Sequence, residues 1–388
     1  MNDVNGKKVE KQTVLVVDDA PANIQIVNSI LKDTYKVRIA TSGAKALELV
    51  KTTPAPDLIL LDVMMPGMNG YEVCSQLKTD PGTRDIPVIF LTGQTETADE
   101  TRGFEVGAVD YIHKPFSPAV VQARVQTHLV LRNVREQLAQ QLFTIQKELE
   151  TARQIQLSIL PQEIPKIAGL NIAARYIPMT AVAGDFYDFI VVDDKHVGVL
   201  VADVSGHGMP AALIASMLKI AFAAQSPKAD DPAAVLHGLN LALCGKFDHH
   251  YVTAVYMYFD MEKRTFKYAG AGHPPIITWA SGSSGVTDIL ENGMFLGKFD
   301  FATYTAVERP LSCGDWCLMY SDGIPETANP ADEQFGDQRF RSFLTEQAWT
   351  SADQLSDDLL KEVIRWSSRG PGEDLDDDIT MVAIRVTE

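Results

Sequence analysis

The 388-residue sequence predicts a multidomain protein: an α/β domain with a doubly wound parallel sheet, a helical coiled-coil linker, and an α+β domain with mostly antiparallel strands. Three observations predict this order. Apolar runs alternate with amphipathic segments up to about residue 120, no glycine or proline interrupts residues 131–160, and strand-like runs dominate from residue 166. The predicted domains are residues 12–128, 129–165 and 166–388.

The alternation in the first domain is typical of a parallel sheet covered by helices on both faces. The predicted strands are TVLVVDD (13–19), KVRIA (36–40), DLILLDV (57–63), PVIFLTG (87–93) and DYIHKP (110–115). The predicted helices are residues 22–33, 43–52, 70–80, 100–107 and 117–131. Ser117 is the expected N-cap of the last helix, with Pro118 at its first position.

The last helix is predicted to continue as the linker until Pro161. Apolar side chains recur every seven residues, which is the signature of a coiled-coil seam. The seam comprises Leu131, Leu138, Ile145, Ala152 and Ile159, with Leu142 and Leu149 between them. Arg135 and Gln156 weaken its ends. The alternative is a helix packed on its own domain, but the polar remainder of the segment favours pairing, most simply with a second copy in a homodimer.

The third domain contains six strand-like runs and three helical segments. The runs are HVGVLVADV (196–204), VTAVYMYFD (252–260), RTFKYAGAG (264–272), PPIITWA (274–280), DWCLMYSDG (315–323) and DITMVAIRV (378–386). Helices are predicted near residues 209–225, 232–246 and 352–368. This mixture is typical of an α+β domain.

Composition excludes several functional classes. The net charge of −17 argues against binding to nucleic acid or to an anionic membrane surface. No apolar run approaches the length of a membrane span, and the first 12 residues lack the apolar core of a secretion signal. The four cysteines show no zinc-binding pattern, so we expect reduced thiols and a cytoplasmic location.

Acids lie at the carboxyl ends of two predicted strands in the first domain, where ligands bind in open parallel sheets. These acids are Asp18, Asp19 and Asp62, and the neighbouring strands end at Thr92 and Lys114. Clustered carboxylates need a cation such as Mg²⁺. Thr92 and Lys114 would then hold an anion beside the metal, and Asp62 would be the nucleophile that forms an acyl phosphate.

This domain resembles the receiver domain of two-component response regulators. The resemblance rests on the acid pair, on LLDVMMPGMNG around Asp62, and on Thr92 and Lys114, which follow Asp62 by 30 and 52 residues. It implies Asp62 as phosphoacceptor and Mg²⁺ held by Asp19, Asp62, a contact from Asp18 and the Met64 carbonyl. It also implies Tyr111 as a switch aromatic, which turns inward when phosphate draws Thr92 in, and a sensor histidine kinase or phosphotransfer protein as partner. A degenerate receiver with the fold alone is the alternative.

Further acids stand at strand ends in the third domain. They are Asp185 and Asp188, Asp203, Asp322, and the run from Asp376 to Asp378. Each alone is explained by turn chemistry or a solvated surface. Together they lack a nearby basic partner in sequence, so convergence would require divalent ions. Two metals that share a carboxylate can activate water for attack on phosphorus.

The order GDFYDF, ADVSGHG, AGAGHPP, YSDGIPE and DDDIT resembles the sporulation and stress-response branch of the metal-dependent protein serine/threonine phosphatases, and ARQIQLSILP (152–161) resembles the helix preceding that domain. The resemblance implies two antiparallel sheets sandwiched by helices and two Mn²⁺ or Mg²⁺ ions. Asp203 would bridge both metals and the Val204 carbonyl would bind one. Asp322 and Asp377 would bind the other, and Asp185 would orient a water on the metal. Asp188 and Asp378 are possible supporting residues.

The sequence therefore predicts an enzyme in which phosphorylation controls a protein serine/threonine phosphatase. The family branch acts on anti-sigma factor antagonists, so we expect such a phosphoprotein as substrate. The alternative is a non-enzymatic adaptor that binds an anti-sigma or sigma factor, although an adaptor does not need the acids. His207 is either a general acid or a structural histidine. His273 is expected to be a turn or core residue. Gly206 and Gly208 are expected to turn the backbone sharply.

Overall fold

The computed structural model describes residues 11–93, 103–281, 283, 285–346, 348–369 and 376–388. The chain divides into two compact units between Thr144 and Ile145. Among the described residues, no helix is both long and apolar enough to cross a membrane.

The first unit contains a five-stranded parallel sheet in the order β2-β1-β3-β4-β5. Its strands are β1 (Thr13–Val17), β2 (Lys36–Ala40), β3 (Leu58–Asp62), β4 (Val88–Thr92) and β5 (Asp110–His113). Its first helices are α1 (Pro21–Leu31), α2 (Gly43–Val50) and α3 (Gly70–Thr79). Every residue of β1, β3 and β4 is buried, because helices cover both faces of a parallel sheet. The predicted helix at 100–107 lies partly outside the described residues, and residues 103–105 are helical.

The linker helix α4 (Pro118–Ile159) is continuous over 42 residues, as predicted. The Ser117 carbonyl accepts a hydrogen bond from Val121 N at 3.0 Å, which opens the helix. Leu138, Leu142 and Ile145 in the predicted seam are each at least half exposed. Pairing of this seam with another helix stays a prediction.

The second unit contains two five-stranded antiparallel sheets, in the orders β13-β10-β9-β8-β7 and β12-β11-β14-β15-β6. The strands are β6 (Leu170–Ile177), β7 (Phe186–Val191), β8 (His196–Val204), β9 (Val252–Asp260), β10 (Thr265–Ala271), β11 (Ile276–Ala280), β12 (Thr287–Ile289), β13 (Val307–Pro310), β14 (Asp315–Tyr320) and β15 (Ile379–Val386). The helices are α5 (Met209–Ala223), α6 (Pro232–Leu243), α7 (Gly323–Glu326), α8 (Asp337–Thr345) and α9 (Ala352–Ser367).

The two sheets pack face to face, with helices on their outer faces. In β14, Cys317 and Met319 join the core shared with the first sheet, while Trp316, Leu318 and Tyr320 pack in the cluster under α8 and α9. This alternation follows from the two-residue period of a strand. The predicted α+β architecture with two sandwiched antiparallel sheets is confirmed.

Candidate functional sites

The first site lies at the carboxyl ends of β1 and β3. Asp18 follows β1 and is fully buried, Asp62 ends β3 and is almost fully buried, and Asp19 is exposed. One ligand atom from each of these three residues lies within 4.8 Å of the others. The three predicted acids therefore converge, as the topology of a parallel sheet requires.

Lys114, just beyond β5, neutralises part of this charge. Its Nζ lies 2.9 Å from Asp18 Oδ2 and 2.9 Å from Asp62 Oδ2. Burial raises the pKa of Asp62, the hydrogen bond from Lys114 opposes that rise, and the charge of Asp18 adds to it. Burial lowers the pKa of Lys114, but hydrogen bonds to Asp18 and Asp62 outweigh it and raise the pKa overall. The lysine therefore stays charged beside a partly desolvated carboxylate.

Two further residues shape this site. Asn23 Nδ2 donates to both carboxylate oxygens of Asp18 at 3.0 Å and so fixes its orientation. The sequence analysis missed Asn23, because an asparagine in the first turn of a helix has many other uses. Gly70 begins α3, where a Cβ would lie 2.3 Å from the Asp62 carbonyl oxygen. Only glycine allows the helix to start so close to the site.

Thr92 and Tyr111 lie on β4 and β5, and both are buried. The Tyr111 ring packs against Phe90 and Phe104, with centroid distances of 5.5 and 5.1 Å. Tyr111 is therefore buried among these rings, and its predicted role as a switch aromatic stays a prediction. The Met64 N–H faces Asp62 Oδ1 at 3.4 Å, and the predicted role of the Met64 carbonyl stays a prediction.

The second site draws acids from both antiparallel sheets. Asp203 lies near the end of β8, Asp322 follows β14, and Asp377 precedes β15. Burial, together with the charges of Asp322 and Asp377, raises the pKa of Asp203 to about 7. Burial and the charge of Asp377 likewise raise the pKa of Asp322 to about 6. Three acids that are distant in sequence are therefore close enough in space to repel one another.

Asp185, just before β7, is the most deeply buried acid of this group. Within the described part of the chain, neither of its carboxylate oxygens makes a hydrogen bond of normal geometry. Burial raises its pKa well above the usual range, and the charges of Asp203 and Asp378 raise it further. The nearby hydroxyls of Thr380 and Ser321 lower its pKa, but less than burial and neighbouring charges raise it. A buried carboxylate without a hydrogen bond of normal geometry is costly, so this arrangement fits a site that receives divalent cations.

The acids of the second site are less tightly grouped than those of the first. Among the described residues, only the Asp18, Asp19 and Asp62 group has its ligand atoms all within 4.8 Å. Asp203, Asp322 and Asp377 interact electrostatically but do not form such a group. Glu326 in α7 adds to the negative charge around Asp203 and Asp322 and was missed by the sequence analysis.

Asp378 organises the loop that carries Asp185. Its carboxylate accepts hydrogen bonds from Met179 N and Gly184 N, each at 2.7 Å. Gly184 itself is required, because a Cβ there would lie 2.7 Å from the Val204 carbonyl oxygen. Asp378 therefore holds the loop against the strand end that carries Asp203 and Val204.

We expect Asp378→Ala to lower the free energy of unfolding of the second unit by about 2–4 kcal/mol, because two backbone N–H groups lose a charged acceptor. All four tryptophans lie in the second unit, at 279, 316, 349 and 366. Denaturant unfolding followed by tryptophan fluorescence therefore reports on that unit. The control is Asp376→Ala, since Asp376 is exposed and paired with Arg369. Equal stability of the two variants would contradict the role of Asp378.

The sharp turn after Asp203 is confirmed. Gly206 and Gly208 have φ angles of 86° and 77°, which other residues rarely adopt. His207 between them is exposed. His273 is a core residue: its Nδ1 lies 2.9 Å from Thr253 Oγ1, and burial lowers its pKa to about 3.

Asp188 differs from Asp185, Asp203 and Asp322 in having a basic partner among the described residues. Its carboxylate lies 2.8 Å from Lys219 Nζ, on α5. The sequence analysis saw no basic partner, because α5 approaches β7 only in the folded unit. The pair leaves Asp188 compensated, whereas Asp185, Asp203 and Asp322 are not.

Family models match both units. One described as the Response regulator receiver domain matches residues 14–126, and one described as Stage II sporulation protein E (SpoIIE) matches residues 193–387, half of the chain. The phosphoserine phosphatase RsbU of Bacillus subtilis is 28% identical over 263 residues, covering 67% of this chain and 74% of that protein.

A probable cyclic di-GMP phosphodiesterase of Vibrio cholerae serotype O1 is 45% identical over 137 residues, covering 35% of this chain. The chain spans only 31% of the length of that protein. Among solved structures, the SiaA-PP2C domain of Pseudomonas aeruginosa is similar with a TM-score of 0.56 and 23% identity, covering 63% of this chain and 98% of that chain. At this identity the likeness shows a common fold. Both predicted family resemblances are confirmed. The chain belongs to the stage II sporulation protein E (SpoIIE) family and carries a receiver domain ahead of its phosphatase domain.

Proposed function

We propose that this chain is a response regulator in which phosphorylation of Asp62 controls a metal-dependent protein serine/threonine phosphatase. One observation carries the enzymatic part: Asp185, Asp203 and Asp322 are buried or half-buried, and each has its pKa raised by burial and by neighbouring acids. An adaptor has no need of such an unfavourable cluster, so the cluster favours the enzyme over the adaptor.

In the receiver, an Asp62 oxygen would attack the phosphorus of a phosphohistidine on a kinase or phosphotransfer protein. The new O–P bond replaces the P–N bond to the donor histidine, which leaves with the electron pair. Lys114 neutralises the incoming phosphoryl group, and the Thr92 hydroxyl donates to one of its oxygens. Mg²⁺, held by Asp19, Asp62, the Met64 carbonyl and a contact from Asp18, would supply further neutralisation when bound.

In the phosphatase domain, Asp203 is proposed to bridge two Mn²⁺ or Mg²⁺ ions. The Val204 carbonyl would bind one ion, and Asp322 and Asp377 the other. When bound, these ions would supply Lewis acidity toward the phosphate and the attacking water. Asp185 would accept a hydrogen bond from that water and direct it toward phosphorus, and Asp378 holds the loop that carries Asp185. The new P–O bond would replace the P–O bond to the serine or threonine oxygen, which leaves with the electron pair and takes a proton from solvent.

The proposed substrate is a serine- or threonine-phosphorylated protein, specifically an anti-sigma factor antagonist. The likeness to RsbU of Bacillus subtilis, which is named a phosphoserine phosphatase, supports a serine-phosphorylated substrate. A cytoplasmic location and a homodimer that pairs through α4 belong to the same proposal.

The helix α4 is proposed to couple the two activities. In the first unit, Arg132 on α4 donates to the Asp57 carbonyl at 2.7 Å. In the second unit, Gln156 on α4 is buried and makes two hydrogen bonds with Ala183, at 2.7 and 3.0 Å. Ala183 is two residues before Asp185. A shift of the helix end would therefore act directly on the loop that carries this carboxylate.

A manganese-dependent dephosphorylation assay with serine-phosphorylated antagonist proteins tests this function. We expect the phosphate mimic beryllium fluoride, bound at Asp62, to raise the phosphatase turnover of the wild-type protein. It should also raise the fraction of the protein that is dimeric. Gln156→Leu should lose most of that rise, because leucine cannot pair with the Ala183 backbone. The matched control is Gln154→Leu, since Gln154 bonds only to Glu150 among its described neighbours.

Polar substitutions of Leu142 and Ile145 should remove dimerisation and the response to beryllium fluoride together, while unregulated turnover persists. A dimer whose turnover ignores the mimic would refute the coupling. If beryllium fluoride lowers turnover, phosphorylation of Asp62 inhibits the phosphatase instead of activating it.

A further inference from the structure

A strip of aromatic side chains lies next to the turn that follows Asp203. We define the aromatic strip as Tyr251, Phe295, Phe299 and Phe301, with Met294 beside them. Successive ring centroids along the strip are 4.4, 5.7 and 5.4 Å apart. Tyr251 is 39% exposed, Met294 48% and Phe301 67%. Scattered exposed apolar residues are ordinary, but a contiguous row marks a binding surface.

Hydrogen bonds connect the aromatic strip to the strand end of the second site. Ser205, two residues after Asp203, donates its N–H to the Tyr251 carbonyl at 3.0 Å, and its Oγ accepts from Tyr251 N at 2.9 Å. Val252 pairs with Val204 in the sheet and exchanges two hydrogen bonds with Leu296, at 2.7 and 3.1 Å. The Tyr251 end of the strip therefore adjoins the turn that follows Asp203.

The backbone under the strip is firmly held. Asn240 on α6 is fully buried, donates to the Phe299 carbonyl at 2.8 Å and accepts from Gly297 N at 2.8 Å. Gly297 has a φ of 86°, and a Cβ there would lie 2.8 Å from the Phe247 ring. The exposure of the aromatic rings is thus imposed by a fixed backbone and does not arise from a loose loop.

Met294 and Phe301 also line a shallow groove of about 380 Å³. Aromatic residues and methionine are enriched at the centres of protein interfaces, where they supply contact area with little loss of entropy. The chain carries a net charge of −17, which repels an acidic phosphoprotein at long range. Apolar contact away from the acids is a source of binding energy that this repulsion does not weaken.

We propose that the aromatic strip is the docking surface for the folded phosphoprotein substrate, which would place an apolar patch on Met294 and Phe301 while its phosphate enters the acidic site. This inference rests on the proposed phosphatase function. It names the substrate as the occupant because the strip is hydrogen-bonded to the segment that follows Asp203.

The test compares a small substrate with a protein substrate in the full chain. The double variant Met294→Ser/Phe301→Ser should hydrolyse p-nitrophenyl phosphate within about twofold of wild type. Its kcat/KM for the phosphoprotein dephosphorylated in the manganese-dependent assay should fall at least about 10-fold, mainly through KM. The control is Val191→Ser/Val192→Ser, which removes two exposed apolar side chains elsewhere in the same unit. Phe301→Leu keeps an apolar surface and should retain most of the protein activity.

Each outcome separates the two proposals. A wild-type protein that is inactive on both substrates, with Mn²⁺ and beryllium fluoride supplied, would overturn the phosphatase function itself. Normal turnover of the phosphoprotein by the serine variant would overturn docking alone. Equal losses on both substrates would show that the strip only supports the acidic site. Sedimentation measures the mass of the assembly. If the serine variant forms a smaller assembly than the wild type but keeps its activity on the phosphoprotein, the occupant of the strip is a second copy of the chain.

Discussion

Replacing Asp203 with asparagine should reduce manganese-dependent phosphatase turnover at least about 100-fold, which corresponds to about 2.7 kcal/mol of lost transition-state stabilisation. Asparagine keeps the shape of the side chain but removes the negative charge that a bridging ligand needs. The loss should appear on p-nitrophenyl phosphate as well as on phosphoprotein, because metal binding serves both reactions. Calorimetric titration with Mn²⁺ should show weaker binding or fewer sites.

The matched control is Asp376→Asn. Asp376 adjoins Asp377 in the same acidic run, and both are exposed, but Asp376 is paired with Arg369. We expect this variant to keep wild-type turnover. Full activity of Asp203→Asn with Mn²⁺ supplied would eliminate the proposed metal bridge.

Replacing Asp62 with alanine should abolish phosphoryl labelling of the chain by acetyl phosphate or by a kinase. Asp62 is the acid with Lys114 Nζ at 2.9 Å and with its ligand oxygen grouped with those of Asp18 and Asp19. Asp18 is an unsuitable acceptor, because both its oxygens accept hydrogen bonds from Asn23. Mass spectrometry of the intact protein measures the label.

Asp85→Ala serves as the control for labelling, since Asp85 is an exposed acid of the same unit. It should be labelled like the wild type. Label that survives in Asp62→Ala would show that another carboxylate accepts the phosphoryl group.

In the second unit, the strands predicted from sequence are the interior strands of the two sheets. In the second unit, β8, β9, β10, β11, β14 and β15 were predicted, and each has neighbours on both sides. The four strands that were missed, β6, β7, β12 and β13, are the sheet edges. An edge strand pairs on one side only and carries more polar side chains, such as Arg175 and Asp188, so its pattern is less apolar.

For the candidate sites, the sequence by itself determined which acids stand at strand ends and which glycines turn the chain. Convergence of Asp18 and Asp62 could be expected because neighbouring parallel strands end at the same edge of a sheet. The regular spacing of apolar residues likewise determined the long helix α4, because a helix needs only local hydrogen bonds and an uninterrupted segment.

Only the tertiary structure decided which acids have partners. Lys219 compensates Asp188, and Asp378 accepts hydrogen bonds from two backbone N–H groups. Among the described residues, neither carboxylate oxygen of Asp185 makes a hydrogen bond of normal geometry. Likewise, only the folded unit brings Tyr251 against Phe295 in the aromatic strip. The contacts of Asp188 and Asp378 join segments at least 31 residues apart, so they depend on the packing of the folded unit and not on the spacing of neighbouring residues.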